Sequence, residues 1–323
     1  MASRLTRVDN MLKDRLLRSI FQRLYRSRLR EMVAPDFPIL LDYPVNASPR
    51  YGYGRPPHRE ILKILERNRV EYANRLSLFC GLRDSLARIP DELETVSLEP
   101  CWGPQRYFSS LDAVALYGML VEFRPHRFVE IGSGYSTKFA HRAIRDHSLP
   151  TQITSIDPTP RAGIDQLCES VIRKPLEEVD LGVFEELRSR DILFVDSSHR
   201  TFSNSDVTTV FMDVLPRLRE GVIVHFHDIF WPYDYPPEWA DRFYSEQYLL
   251  GCYLLAGHLD LRVLLPNAFV VHDPELAGIC NPLQEIPGVQ RPCDPVYSPF
   301  RIAGGSFWMQ IDHDPAKKNG NPC

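Results

Sequence analysis

Residues 128–137 read Phe-Val-Glu-Ile-Gly-Ser-Gly-Tyr-Ser-Thr, and this stretch decides how the chain folds. A short apolar run, typical of a buried strand, turns through Gly132, Ser133 and Gly134 into a helical pattern that begins near Tyr135. Glycines let the backbone approach a ligand closely, and the free N–H groups of a helix N-terminus face an anionic group. The stretch predicts either a strand, turn and helix that bind a nucleotide-like ligand, or an ordinary α/β turn.

Glu130 places a carboxylate inside the apolar run of the predicted strand. A buried charged group needs a partner, because leaving water without one is costly. We expect that partner to be an ammonium group on the ligand. The alternative is that the glutamate bonds to nearby backbone.

Length and composition are those of a soluble globular protein. The 323 residues, 44% hydrophobic and 25% charged, suffice for one large α/β domain with an N-terminal appendage. No apolar run approaches the roughly 18 to 20 residues that span a bilayer. The seven cysteines are scattered and form no C-x-x-C pair, which favours a reducing compartment over a zinc knuckle or a disulfide framework. A cytoplasmic protein is therefore expected.

The N-terminus differs in charge from the rest of the chain. Residues 1–31 carry nine basic and three acidic side chains, although the net charge of the whole chain is −4. Apolar residues at three- and four-residue steps predict an amphipathic helix there. Such a helix either lies on an anionic membrane or acts as a mitochondrial presequence. The alternative is that it packs on its own domain or on another subunit, and in the latter case the protein is a homo-oligomer. No nucleic-acid partner is expected, because the remainder of the chain is acidic.

The order of sequence patterns predicts two parts. Residues 1–100 read as a mainly helical N-terminal extension. In residues 101–312 strands alternate with helices, which predicts a doubly wound, mostly parallel, Rossmann-like sheet of seven strands. Within it the proline-rich residues 274–305 are expected to form a loop insertion, and residues 313–323 a flexible tail. The predicted strands are 128–131, 152–156, 171–173, 191–195, 222–226, 261–265 and 306–311.

Polar side chains follow the predicted strands at their carboxyl ends, where an open α/β sheet binds ligands. Asp157 ends the second strand, where a carboxylate can accept both hydroxyls of a ribose or serve as a turn residue. Asp196 ends the fourth strand, and His199 follows three residues later. Because the unperturbed pKa of histidine lies near neutrality, His199 is a candidate general base, or else a hydrogen-bonded loop residue.

The fifth strand brings further polar groups to the same edge. Residues 222–228 read Val-Ile-Val-His-Phe-His-Asp. Asp228 and His227 together with Asp196 would form a small, oxygen-rich site for a divalent metal ion with positions open to a substrate. His225 lies one pleat deeper on the same face and is expected to be buried and hydrogen-bonded.

Four motifs fall in the order and spacing of class I S-adenosylmethionine-dependent methyltransferases. They are Glu-Ile-Gly-Ser-Gly-Tyr-Ser-Thr (130–137), Ile-Asp-Pro (156–158), Val-Asp-Ser-Ser-His (195–199) and His-Phe-His-Asp (225–228). Over roughly residues 102–311 the chain resembles the bacterial branch that also holds macrolide-sugar O-methyltransferases and cephalosporin-hydroxylase-like proteins. The resemblance implies that the cofactor is S-adenosylmethionine.

The resemblance also implies roles for single residues. The methionine part of the cofactor would be held by Glu130, Gly132, Ser133 and Gly134. Asp157 would bind its ribose. Lys174 and Pro175 would border its adenine. In the metal-dependent sugar O-methyltransferases, an aspartate and an acidic pair bind magnesium beside a histidine base. Asp196, Asp228 and His199 match those roles. His227 stands where an acid is expected, which admits manganese, iron or zinc beside magnesium, or no metal at all.

The expected function is the transfer of a methyl group to a hydroxyl of a small molecule such as a sugar, a glycoside or another natural product. Such a transfer requires the acceptor oxygen, methyl carbon and sulfur in line, and a base such as His199 to take the proton. Four aromatic residues within 229–237 would wall the acceptor pocket or pack the loop. One rival is a hydroxylase-like or non-catalytic protein of the same fold. A nicotinamide oxidoreductase is disfavoured, since Thr137 replaces the last glycine or alanine of the dinucleotide fingerprint.

Overall fold

The computed structural model describes residues 19–20, 45–93, 97–103, 108, 110–160, 162–257, 261–289 and 303–312. Apart from the helical residues 19 and 20, the predicted basic helix lies outside this part of the chain, as does the predicted tail 313–323. The chain divides into two compact units, Met1–Asn46 and Ala47–Cys323. The sheet and the candidate site belong to the second unit.

A seven-stranded, mostly parallel sheet forms the centre of the second unit. Its strands are β1 (Arg127–Ile131), β2 (Gln152–Ile156), β3 (Ser170–Ile172), β4 (Ile192–Val195), β5 (Ile223–Phe226), β6 (Leu261–Pro266) and β7 (Phe307–Ile311). They lie in the order β3-β2-β1-β4-β5-β7-β6, with β7 antiparallel to both of its neighbours. This order confirms the predicted Rossmann-like, seven-stranded architecture.

The strands β2 and β3 lie on one side of β1, and β4 and β5 lie on its other side. The topological switch point is therefore between β1 and β4. Ile131 at the end of β1 pairs with Ile156 of β2 and with Val195 of β4, and Val195 pairs with Phe226 of β5. The carboxyl ends of these four strands are therefore level. Ligands of open α/β sheets bind at such a point, so the turns that follow these strands share one site.

The second unit also contains α-helices, which lie before and between the strands in the chain. They are α1 (Arg59–Glu66), α2 (Arg69–Cys80), α3 (Arg83–Leu86), α4 (Ser110–Phe123), α5 (Tyr135–His147), α6 (Gly182–Glu185), α7 (Asp206–Thr209), α8 (Glu246–Ala256), α9 (Asn267–His272) and α10 (Pro274–Ile279). Helix α4 is buried along most of its length and packs on α5. Among the described helices, none combines the length and the apolar character that crossing a membrane requires.

Helices α1 and α2 belong to the same unit as the sheet, although the sequence predicts a separate extension up to residue 100. Ile61, Leu65 and Tyr72 are buried in the core that the strands share. The Arg75 guanidinium pairs with Glu122 at 2.8 Å and donates to the carbonyl of Leu264 at 2.7 Å. A helix buries its apolar stripe against another layer, and here that layer is the sheet unit. The structure thus divides the chain after Asn46, not near residue 100.

The proline-rich stretch that was expected to be a loop insertion begins with helical structure. The carboxylate of Asp273 accepts from the N–H groups of Glu275 and Leu276 at 3.1 Å and caps α10, whose first residue is Pro274. A 3-10 helix, Asn281–Glu285, follows. Proline suits the first position of a helix because its missing N–H would have no partner there. The loop prediction is therefore wrong for residues 274–285.

Candidate functional site

A cavity of about 970 Å³ lies at the carboxyl ends of β1, β2, β4 and β5. Its volume is within the range of cofactor and substrate pockets. Every residue predicted for the site lines this cavity except Glu130. The sequence therefore predicted residues that the structure brings together around one cavity.

The glycine turn after β1 is held by backbone contacts that admit only glycine at its first position. Gly132 has φ +79°, and a Cβ built there would lie 1.8 Å from the carbonyl oxygen of Asp196. The N–H of Ser133 donates to Asp157 Oδ2 at 2.8 Å, and the Ser133 hydroxyl lies 2.7 Å from the hydroxyl of Ser155. The turn is thereby fixed to the ends of β2 and β4.

Glu130 lies beneath this turn and is fully buried. Its Oε2 accepts from the hydroxyl of Thr137, which in turn accepts from the N–H of Gly134 at 3.0 Å. Burial raises the pKa of Glu130 to about 8. Oε1 has no hydrogen-bond partner among the described residues. The carboxyl braces the turn through a hydroxyl, not through backbone, and its contact with a ligand ammonium stays a prediction that this geometry does not favour.

Asp157 stands at the end of β2 beside the turn. Its Oδ1 accepts from the N–H of Thr159 at 2.8 Å, and Oδ2 accepts from Ser133. Each carboxylate oxygen has a further lone pair, so both can still accept a hydrogen bond from a ligand. Lys174 and Pro175 line the same part of the cavity.

Two histidines and three aspartates meet at the ends of β4 and β5. His199 Nε2 lies 3.4 Å from Asp196 Oδ1 and 3.5 Å from Asp228 Oδ2. His227 Nδ1 lies 3.5 Å from the Oδ1 atoms of both aspartates, and its Nε2 lies 3.4 Å from Asp112 Oδ2. The predicted convergence of Asp196, His199, His227 and Asp228 is thus present in the structure.

Protons on the two histidines balance the charge of this cluster. Burial lowers the pKa of His199, but hydrogen bonds to Asp196 and Glu246 raise it well above its ordinary value. Burial opposes protonation of His227 as well, yet the charges of Asp196 and Asp228 raise its pKa well above the ordinary value. Despite burial, the neighbouring imidazoles hold the pKa of Asp196 far below its usual range. The carboxylates around the two imidazoles thus favour the protonated form of His199 and of His227, while burial raises the pKa of Asp228.

The sequence interpretation missed two buried acids of the site. Glu246 Oε2 lies 2.9 Å from His199 Nδ1. Asp112 accepts from the N–H groups of Gly305 and Ser306 and from the side chain of Asn267. Asp112 interrupts an apolar helical sequence, the same kind of signal that singled out Glu130 in its strand, and that signal could have identified it. Glu246 begins its helix, where an acid is ordinary, so the sequence gives no such signal for it.

Some of the aromatic residues near the cluster line the cavity, and others pack against rings in the interior. Of the four aromatics within 229–237, Phe230 lines the cavity. Trp231 and Tyr235 are buried against other rings. Trp239 and Tyr244 complete the wall. His225 is fully buried and stacks on Phe194 with ring centroids 3.7 Å apart, as expected for a hydrogen-bonded core histidine.

The predicted metal site is not supported by the arrangement of side chains. Within the part of the chain that the structure describes, no group of three or more histidine, cysteine, aspartate or glutamate side chains could hold a metal ion. Asp196, Asp228 and His227, the expected ligands, are instead arranged as partners in imidazole–carboxylate pairs.

Comparison with known proteins gives one family match. Residues 129–229 match the model of a methyltransferase domain. An uncharacterized protein of Archaeoglobus fulgidus is 35% identical over 91 residues, which are 26% of this chain and 41% of that protein. The chain thus spans about two-fifths of that relative. The structure of the SAH-bound Podospora anserina methyltransferase PaMTH1 aligns over 64% of this chain and 81% of its own, with 16% identity and a TM-score of 0.38.

Proposed function

We propose that the protein is a class I methyltransferase, which transfers a methyl group from S-adenosylmethionine to a hydroxyl of a small molecule. The match of residues 129–229 to the model of a methyltransferase domain and the order of the sheet support the proposal. The observation that carries the proposal is that one cavity holds the glycine turn and Asp157 on one side and His199 on the other. A methyl donor and an acceptor would meet between them.

In the proposed reaction His199 takes the proton of the acceptor in its neutral form, after the imidazolium that its carboxylate neighbours favour has released the Nε2 proton. Its Nε2 lies between Asp196 and Asp228 and faces the cavity. As the hydroxyl proton moves to Nε2, the oxygen forms a bond to the methyl carbon. The bond from that carbon to sulfur breaks, and its electron pair stays on sulfur as the neutral thioether. An in-line displacement of this kind depends on alignment, which the shared cavity supplies.

Cofactor binding and turnover together test the proposal. Equilibrium binding should show affinity for labelled S-adenosylmethionine and none for NAD. Release of S-adenosylhomocysteine should then depend on an acceptor in a screen of glycosides, phenols and amino acids. Binding without release in the presence of any acceptor would indicate a hydroxylase-like or non-catalytic protein of this fold.

A second candidate adds a divalent metal ion held by Asp196, Asp228 and His227. Charge favours it, because two aspartates at the ends of neighbouring strands repel each other unless a cation lies between them. The arrangement of the described side chains does not favour it. Such an ion would polarise the acceptor hydroxyl. Magnesium and manganese suit the carboxylates, and iron or zinc suit the imidazole.

Removal of metal separates the two candidates. We expect that dialysis against a chelator leaves the rate unchanged, since His227, whose pKa is well above its ordinary value, already places a positive charge beside Asp196 and Asp228. The measurement is the initial rate of S-adenosylhomocysteine release before and after dialysis, with metal content checked by emission spectroscopy. A rate that falls on chelation and returns with magnesium or manganese would assign the reaction to the second candidate.

Asp157→Ala should weaken the binding of S-adenosylmethionine. The variant removes the carboxylate proposed to accept the ribose hydroxyls. The loss expected for a hydrogen bond to a charged group is about 1.5 to 3 kcal/mol, or roughly 10- to 150-fold in Kd. Isothermal titration calorimetry of wild type and variant measures the difference.

The control for Asp157 separates ribose binding from support of the turn. The carboxylate also accepts from the N–H of Ser133, so its removal could loosen the turn instead. A cofactor analogue without the two ribose hydroxyls should bind wild type and variant equally well. If Asp157→Ala weakens binding of the analogue by as much as it weakens binding of the natural cofactor, Asp157 does not bind the ribose.

A further inference from the structure

Glu246 is a fully buried carboxylate that contacts the proposed base from behind. It is the first residue of α8 and does not line the cavity. Its Oε2 lies 2.9 Å from His199 Nδ1, whereas His199 Nε2 faces Asp196 and Asp228 in the cavity. Glu246 can therefore act on a bound acceptor only through the imidazole.

The start of α8 also holds the backbone around His199. The N–H groups of Ser245 and Glu246 donate to the carbonyl of His199 at 2.8 and 3.2 Å. The N–H of Thr201 donates to the hydroxyl of Ser245 at 2.8 Å. The two bonds to its carbonyl hold His199 at φ +59°, a left-handed conformation that non-glycine residues adopt rarely and often at functional sites. Loop and helix thus form one hydrogen-bonded unit.

The chemistry of the two groups determines which ring nitrogen carries the proton. Burial raises the pKa of Glu246, and the hydrogen bond and charge of His199 oppose that rise and favour the ionised carboxylate. An ionised carboxylate only accepts hydrogen bonds, so the nitrogen beside it must be the donor. In the neutral imidazole the single N–H therefore lies on Nδ1, and the lone pair of Nε2 faces the cavity. Oε1 of Glu246 has no hydrogen-bond partner among the described residues, so the imidazole is the partner that the geometry provides for this carboxyl.

We infer that Glu246 is a positioning residue, which holds His199 in the tautomer whose Nε2 can take the proton of the acceptor hydroxyl. This inference rests on the proposed function for its kinetic consequence. Its structural content, the position of one proton, does not depend on turnover. Neither Glu246 nor α8 lies within the residues that match the methyltransferase family model.

The test combines ring-nitrogen NMR with kinetics. Histidine-labelled wild type, Glu246→Gln and Ser245→Ala are compared at a pH where His199 is neutral, with its signals assigned by their loss in His199→Ala. The wild-type spectrum should show the proton on Nδ1. The amide that Glu246→Gln introduces can donate to Nδ1, so this variant should show a large fraction with the proton on Nε2. Its kcat should fall by about a hundredfold or more, with the KM for the cofactor within about twofold of wild type.

Ser245→Ala is the matched control, because it removes a bond of the same loop–helix unit without touching the imidazole. It should keep the Nδ1 tautomer and a kcat within about threefold of wild type. A wild-type spectrum with the proton on Nε2 would overturn the inference, as would a Glu246→Gln protein with unchanged tautomer and kcat. If wild type shows no turnover with any acceptor, the proposed function fails, while the spectra still decide which nitrogen is protonated.

Discussion

Replacing His199 by alanine is expected to lower kcat by roughly a hundredfold or more and to leave cofactor affinity nearly intact. The imidazole lines the part of the cavity where the acceptor is proposed to bind, and the turn that would hold the cofactor lies after a different strand. Loss of the base therefore affects the chemical step and not the binding of the donor. Single-turnover rates and calorimetry of S-adenosylmethionine binding measure the two effects separately.

His126→Ala is a suitable control for that variant. His126 is exposed and precedes β1, so it lies at the amino end of the strand, away from the cavity. Its loss should change kcat by no more than about twofold. A His199→Ala protein with high activity and the pH–rate profile of wild type would show that another group is the base.

Gly132→Ala is expected to destabilise the protein strongly and to abolish cofactor binding. The added Cβ would meet the Asp196 carbonyl oxygen at 1.8 Å, and the residue would keep φ +79°. Overpacking against backbone and a left-handed conformation together cost on the order of 2 to 5 kcal/mol. Thermal unfolding measures the loss of stability. Calorimetry below the unfolding temperature then shows whether the displaced turn still binds S-adenosylmethionine.

Gly278→Ala makes the same chemical change where the structure has room. Gly278 lies in α10, and a Cβ built there meets no atom within 4 Å beyond its chain neighbours and the backbone of its own helix. Alanine should stabilise the helix by about 0.5 to 1 kcal/mol, because glycine loses more backbone entropy on folding. If Gly132→Ala melts at the same temperature as Gly278→Ala, the close approach of the turn to Asp196 does not constrain the fold.

The agreement between sequence and structure is best where local patterns act within one element. Short apolar runs that alternate with helices predict parallel strands, and the structure has these strands within a residue or two of the expected bounds. The prolines of residues 274–289 led to the wrong prediction of a loop, because a proline at the first position of a helix looks the same in the sequence as a proline in a loop.

The candidate site was predictable to the extent that it follows strand ends. Asp157, Asp196 and His227 come directly after β2, β4 and β5. Parallel pairing brings these ends to one edge, so their convergence follows from the topology. Asp112 and Glu246 reach the same cluster from helices α4 and α8, whose position on the sheet no local pattern indicates.

The sequence by itself thus determined the strands of the sheet and the residues that end them, because hydrophobic periodicity and turn chemistry are local. Only the tertiary structure decided the partners of the buried charges. Glu130 bonds to Thr137 beneath the turn, and Glu246, 47 residues away from His199, pairs with its imidazole. A buried carboxylate must find a donor, but which one it finds depends on how helices pack against the sheet, and that packing is a property of the whole chain.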